Sequence, residues 1–213
     1  MQIQEIYKKY RINKGLQEHM VRVAAVAEMV CEHSPLPIDK TVVVSACLLH
    51  DMGNLIKVKF EAAPELFEPE GVGYWQEVQA EMIELYGDVG SATRAIVADI
   101  APLDAIEETI EHASFNKMRD IAASGTLEAK LLEYADMRVA LRGIVSMRER
   151  FDDIRARYVP VPHPSEYIDE LEAAAASIEV ALFAGASITP ADITEESTAA
   201  IQKELQCFDI PTR

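Results

Sequence analysis

Four side chains in this sequence sit where polar groups are costly. His19 lies four residues before Val23, on the face that also carries Val26 and Val30. A histidine on a buried face needs a hydrogen-bond partner or a metal. His50 and Asp51 follow Thr41 to Leu49, the most apolar stretch of the chain, so two metal-competent groups emerge from what must be the centre of the core. An unpaired carboxylate buried there would cost several kcal/mol, and a divalent cation would offset that cost. Asp136, in the segment LLEYADMR, shares a helix face with Leu132 and Val139 and is far from any cap. Three separate segments thus each bring nitrogen or oxygen ligands from an apolar face. Two neutral imidazoles and two carboxylates suit one divalent transition metal: manganese, iron, cobalt, nickel or zinc.

The elements that must position these groups are helical. Apolar residues recur at three and four almost everywhere, and no stretch sustains a period of two. Leu16, Met20, Val23, Val26 and Val30 predict an amphipathic helix over 15–33, ended by Pro35 and Pro37. Asp39 is placed to cap a second helix running to about Met52, and its lack of a polar face puts it at the protein's centre. Residues 53–73 form a long connection of the kind that is more often functional than decorative. Helices are expected at 74–86, at 91–100 with Ser91 as cap, at 104–113 and at 116–124. A long helical pattern runs from Thr126 to Tyr158, with Gly143 marking a break or a close contact. Val159 to Pro164 reads as an extended proline spacer. Beyond it, one helix carries Ile168 to Leu182, and Thr189-Pro190 with Asp192 starts a last short one. The expected fold is all-α, with a main domain at 1–159 and a spacer plus two-helix appendage at 160–213. That appendage could pack on the main domain or build a homodimer.

Composition narrows the function. The 213 residues carry 36 acidic and 20 basic side chains, a net charge of −16. General nucleic-acid or anionic-membrane binding is disfavoured by repulsion from phosphate. A small phosphorylated ligand remains compatible, since a cation or a local arginine cluster can reverse the sign inside one pocket. Three scattered cysteines (Cys31, Cys47 and Cys207) are no disulfide framework, no apolar leader is visible, and no apolar run spans a bilayer. The expected location is a reducing cytoplasm. Gly-rich phosphate loops, GxSxG and HExxH are absent. His33 and His163 read as surface histidines.

The order of His19 in EHMVRVA, His50-Asp51 in LLHDMGN and Asp136 in LLEYADMRVALR resembles the HD-domain superfamily of metal-dependent phosphohydrolases, over about residues 15–158. The resemblance implies that His19, His50, Asp51 and Asp136 hold the metal. It also implies that Asp51 is catalytic, orienting the attacking water, and that the reaction is hydrolysis of a small phosphoester, with nucleotides favoured. Two positions depart from the pattern. Asn54 stands where many members have lysine, placing a neutral amide among the substrate contacts. Only His112 lies in the interval where dinuclear members carry two histidines, which favours one metal and leaves His112 as a substrate contact. The basic residues nearest the ligands in sequence are Arg22, Arg138 and Arg142, with Lys57 and Lys59 in the long connection. Guanidinium groups grip phosphate bidentately, so Arg22, Arg138 and Arg142 are the expected substrate contacts. Two other classes compete: a non-catalytic ligand-binding or regulatory module of the same fold, and an iron-dependent oxygenase.

Overall fold

The segment without a polar face, α3 (Lys40–Leu49), lies at the centre of the computed structural model, which describes residues 1–158 and 165–213. Val42 through Leu49 are all buried. The Asp39 side chain accepts a hydrogen bond from the Val42 amide at 3.1 Å, capping the helix as expected. Around α3 pack α2 (Lys14–His33), α6 (Asp104–His112) and α8 (Leu127–Met137), and α2 also packs on α8. The fold is all-α. The remaining helices are α1 (Ile3–Lys9), α4 (Val72–Tyr86), α5 (Val89–Ile100), α7 (Met118–Ser124), α9 (Met147–Tyr158), α10 (Ser165–Leu182) and α11 (Glu195–Leu205). No helix among the described residues is long and apolar enough to cross a membrane.

The structure differs from the sequence reading in several places, each with a local cause. Helix α1 is unforeseen. It is only seven residues long, too short for a periodic signal, and depends on distant partners. Its Ile3 amide donates to Phe208 O at 2.9 Å, and the Tyr7 hydroxyl reaches Leu48 O at 2.8 Å inside the core. The cap of α5 is Asp88, not Ser91: the Ser91 amide donates to Asp88 Oδ1 at 3.0 Å. The pattern from 126 to 158 is split by an antiparallel pair, β1 (Val139–Ala140) and β2 (Gly143–Ile144). Gly143 has φ +141°, a backbone that only glycine adopts without strain. The box at Thr189 and Asp192 forms, but it closes only one 3-10 turn. Helix α11 starts at a second box, Thr194 with Ser197. The expected spacer at 159–164 lies outside the described residues.

The C-terminal helices share the core. Leu171, Ala175, Ile178, Leu182 and Leu205 belong to one continuous buried cluster with α2, α3 and α8. Helix α10 packs on α7, α8 and α9, and α11 on α2. Arg138 ties these parts together. It is 3% exposed and donates to Val145 O at 2.5 Å, Ile193 O at 3.0 Å and the Tyr134 hydroxyl at 2.5 Å. Each of its three guanidinium nitrogens donates to protein and it lines no part of the cavity beside His50 and Asp51, which corrects its expected role as a substrate contact. Arg138→Ala should therefore lower stability by at least about 3 kcal/mol, because buried acceptors lose a charged donor. Denaturant unfolding, run beside a metal assay that stays unchanged, checks this.

Candidate metal centre

The mutual packing of α2, α3 and α8 brings together the four polar groups that the sequence singles out. His19 comes from the second turn of α2, His50 and Asp51 leave the C-terminus of α3, and Asp136 sits near the end of α8. His19, His50 and Asp51 each offer one ligand atom, and these atoms lie within 4.8 Å of one another. Asp136 Oδ1 is 3.0 Å from His19 Nε2 and 3.6 Å from His50 Nε2. Asp51 lies 3.6 Å from His19 Nε2 through Oδ2 and 3.7 Å from His50 Nε2 through Oδ1. Ligands about 2 Å from a common ion sit about 3 Å apart, so the spacing is compatible with shared coordination.

His50 supplies the strongest local sign of a missing partner. Its Nδ1 lies 2.8 Å from Cys47 O, a pure acceptor, so Nδ1 carries the hydrogen. That leaves Nε2 as the free nitrogen, and it is buried with no hydrogen-bond partner. A ring fixed through one N–H to a backbone carbonyl, with the other nitrogen left for an ion, is how metal-ligating histidines are oriented. Burial alone would lower the His50 pKa, but the Asp51 and Asp136 carboxylates outweigh it and push the imidazole up to about 9. Burial opposes ionisation of Asp136, yet its contacts with His19 and His50 hold it well below the usual carboxylate range. Metal ligation requires deprotonated donors, so the two carboxylates would supply the charge that balances a divalent cation. The donor set, nitrogen and oxygen without thiolate, fits the expected borderline or hard ion.

The turn after Asp51 is shaped by close packing. A Cβ on Gly53 would stand 2.4 Å from Val89 O and 2.8 Å from Thr93 Oγ1. The Gly53 amide instead donates to Thr93 Oγ1 at 3.0 Å, anchoring the ligand turn to α5. Asn54 is 7% exposed, and its amide donates to Asp51 Oδ2, fixing the carboxylate's orientation.

His50, Asp51 and Asp136, but not His19, line a cavity of about 800 Å³ whose walls also include Asn54. Its cations are Lys57, Arg94 and Lys117, of which only Lys57 was in view from the sequence. Neither Arg94 nor Lys117 adjoins a ligand in sequence, so spacing could not find them. The arginines expected there are elsewhere. Arg22 is paired with Glu195 at 2.8 Å and Glu18 at 3.6 Å. Arg142 is exposed and 3.1 Å from Glu65. His112 is exposed, with Nδ1 2.6 Å from Glu108 O, and does not wall the cavity although its neighbours Glu111 and Ala113 do. Arg22, Arg138, Arg142 and His112 are thus corrected as cavity contacts: each is engaged by protein outside the cavity. Phe115, Tyr167 and Ile168 give the cavity apolar surface, the last two from α10.

One wall residue was missed altogether. Glu133 is 3% exposed, and its Oε1 has no hydrogen-bond partner. Burial, reinforced by the charges of Asp136 and Asp51, pushes its carboxyl up to about 8, against the pull of His50 and the Ser114 amide. The sequence signal was present but weak: an acid three residues before Asp136, on the same helix face.

The HD domain family model matches residues 16–159 of the chain. No curated protein and no solved structure shows significant similarity to it.

Two outcomes follow from this geometry. Asp51→Ala and Asp136→Asn should each abolish stoichiometric divalent metal in the purified protein, read by elemental analysis; full occupancy in both would defeat the ligand assignment. For the metal-free protein, the raised Glu133 pKa means that the folded state holds a proton the unfolded state has released. Glu133 therefore contributes stability below its ordinary 4.5 that is lost as pH rises through about 8. In Glu133→Gln, urea midpoints measured across that window should decline less steeply than in the parent.

Proposed function

The chain belongs to the HD-domain family, a family of metal-dependent phosphohydrolases, and we propose that it hydrolyses a small phosphoester, with a nucleotide favoured. The observation that carries this reading is the cluster of His19, His50, Asp51 and Asp136, the last three of which line a cavity whose walls also hold Lys57, Arg94 and Lys117. The cavity sets Lys57, Arg94 and Lys117 beside Asp51, Asp136, Glu111 and Glu133, and a divalent ion held by the acids at the metal end would tip that balance toward an anion. Its volume of about 800 Å³ suits a nucleotide-sized molecule, and Phe115, Tyr167 and Ile168 offer apolar surface for a planar ring.

The four ligands are His19, His50, Asp51 and Asp136, holding a single manganese, iron, cobalt, nickel or zinc ion. A divalent ion bound there would supply Lewis acidity toward a phosphoryl oxygen and make a water more acidic. The protein's own groups do the positioning. Asn54 holds Asp51 through its amide, which leaves the other Asp51 oxygen to orient the attacking water. Lys57, three residues past Asn54, provides the positive charge that the asparagine lacks, and Arg94 and Lys117 add charge from α5 and the turn before α7.

The test is a screen of phosphomonoesters and phosphodiesters, nucleotides included, with each of the five metals and parallel elemental analysis. Phosphate release that depends on Asp51 and on metal supports the reading. Full metal occupancy without hydrolysis of any phosphoester overturns it in favour of a ligand-binding module. Lys57→Ala and Arg94→Ala should raise KM about tenfold each, the equivalent of about 1.4 kcal/mol, without altering metal content. Unchanged KM in both would remove these cations from the substrate site.

A further inference from the structure

Glu133 occupies a position that the fold itself does not explain. It lies in α8, caps no helix end, and forms no ion pair among the described residues. Buried acids are normally satisfied by donors or cations, and one left with a bare oxygen calls for a partner that arrives from outside. Here that partner would come through the cavity, since Glu133 is part of its wall. Asp136 is three residues on, and side chains at that helical spacing have Cβ atoms about 5–6 Å apart. Glu133 therefore stands one helical turn from Asp136 on the wall of the same cavity, and no hydrogen bond joins the two carboxyl groups among the described residues.

The charged groups facing the same space are His50, Asp51 and Asp136 at the metal end, and Lys57, Arg94, Lys117 and Glu111 elsewhere on the walls. A carboxylate placed among these acids would repel an anionic phosphoester. A neutral carboxyl would donate a hydrogen bond to it.

We propose that Glu133 is a catalytic residue, the group that protonates the leaving oxygen of the phosphoester. The assignment rests on the phosphohydrolase reading above. As the bond between phosphorus and the organic oxygen breaks, its electron pair stays on that oxygen. The Glu133 proton caps the oxygen as an alcohol. Water forms the new phosphorus–oxygen bond and releases a proton, which restores Glu133. The sum is ester plus water giving alcohol plus phosphate, with no other reactant. General-acid assistance of this kind contributes roughly 100-fold or more to rate, most of all when the leaving alcohol is a poor one.

The experiment compares parent and Glu133→Gln, both metal-loaded, on a nucleoside 5′-monophosphate and on 4-nitrophenyl phosphate. Glutamine keeps the size and neutrality of the carboxyl but has no acidic proton to give. The expected result is a fall in kcat of about 100-fold on the alkyl ester, a fall at least tenfold smaller on the aryl ester, and unchanged metal content. Infrared spectra of the metal-free parent near neutral pH should show a protonated carboxyl band that Glu133→Gln lacks. Equal losses on the two esters, no loss on either, or absence of that band in the parent would overturn the assignment while leaving the phosphohydrolase reading intact. A metal-loaded parent that hydrolyses neither ester nor any other phosphoester overturns both. If the variant fails to fold, a metal-free parent with no protonated carboxyl band near neutral pH still overturns the assignment.

Discussion

Two imidazoles and two carboxylates share one seam between three helices, and the rest of the molecule is arranged around that constraint. Charged groups are tolerated in an apolar interior only when they are mutually paired or neutralised by an ion. The seam supplies the first condition through contacts of 3.0 to 3.7 Å among His19, His50, Asp51 and Asp136. It leaves His50 Nε2 without a hydrogen bond. The neighbouring features serve this arrangement. Cys47 O fixes the His50 tautomer, Asn54 holds Asp51, and Gly53 lets α5 approach closely enough for Thr93 to brace the turn. Among the described residues these supports act on the His-Asp turn through hydrogen bonds that do not involve Lys57, Arg94 or Lys117.

Most of the chain's cations are neutralised locally. Lys9 pairs with Asp99, Arg11 with Glu81, Arg119 with Glu170, Arg155 with Asp169, and Arg213 with Asp104 and Glu107. These surface pairs contribute little stability, but they remove positive charge from most of the surface. At the cavity, Arg94 bonds to the Ser91 hydroxyl and Lys117 to Glu111 O, neutral partners both. Lys57, Arg94 and Lys117 thus bring positive charge to the wall beside His50, Asp51 and Asp136, within a molecule whose net charge is −16.

Arg138 shows how sequence adjacency can mislead. Two residues from Asp136, it is the natural choice for gripping a phosphate. Its backbone, however, leaves the end of α8 for the β1–β2 turn, which directs the side chain into the protein rather than the cavity. There it joins α8, the hairpin and the segment before α11 through Tyr134, Val145 and Ile193. The same junction brings the C-terminal helices into the core, and α10 contributes Tyr167 and Ile168 to the cavity wall.

The sequence by itself determined the helical class, the central place of 41–49 and the four polar residues that meet, because periodicity and the cost of a polar group on an apolar face are local properties. The resemblance to the HD-domain pattern further implied that Asn54 stands where many members have lysine. Tertiary structure decided what depends on helices distant in the chain. Helix α1 forms against a C-terminal segment, Asp88 rather than Ser91 caps α5, and the pattern from 126 to 158 breaks at a hairpin. Lys57, Arg94 and Lys117, not Arg22, Arg138 or Arg142, face the cavity. Glu133 became visible only once burial was known, since an acid in a helix is ordinary until its surroundings leave it without water.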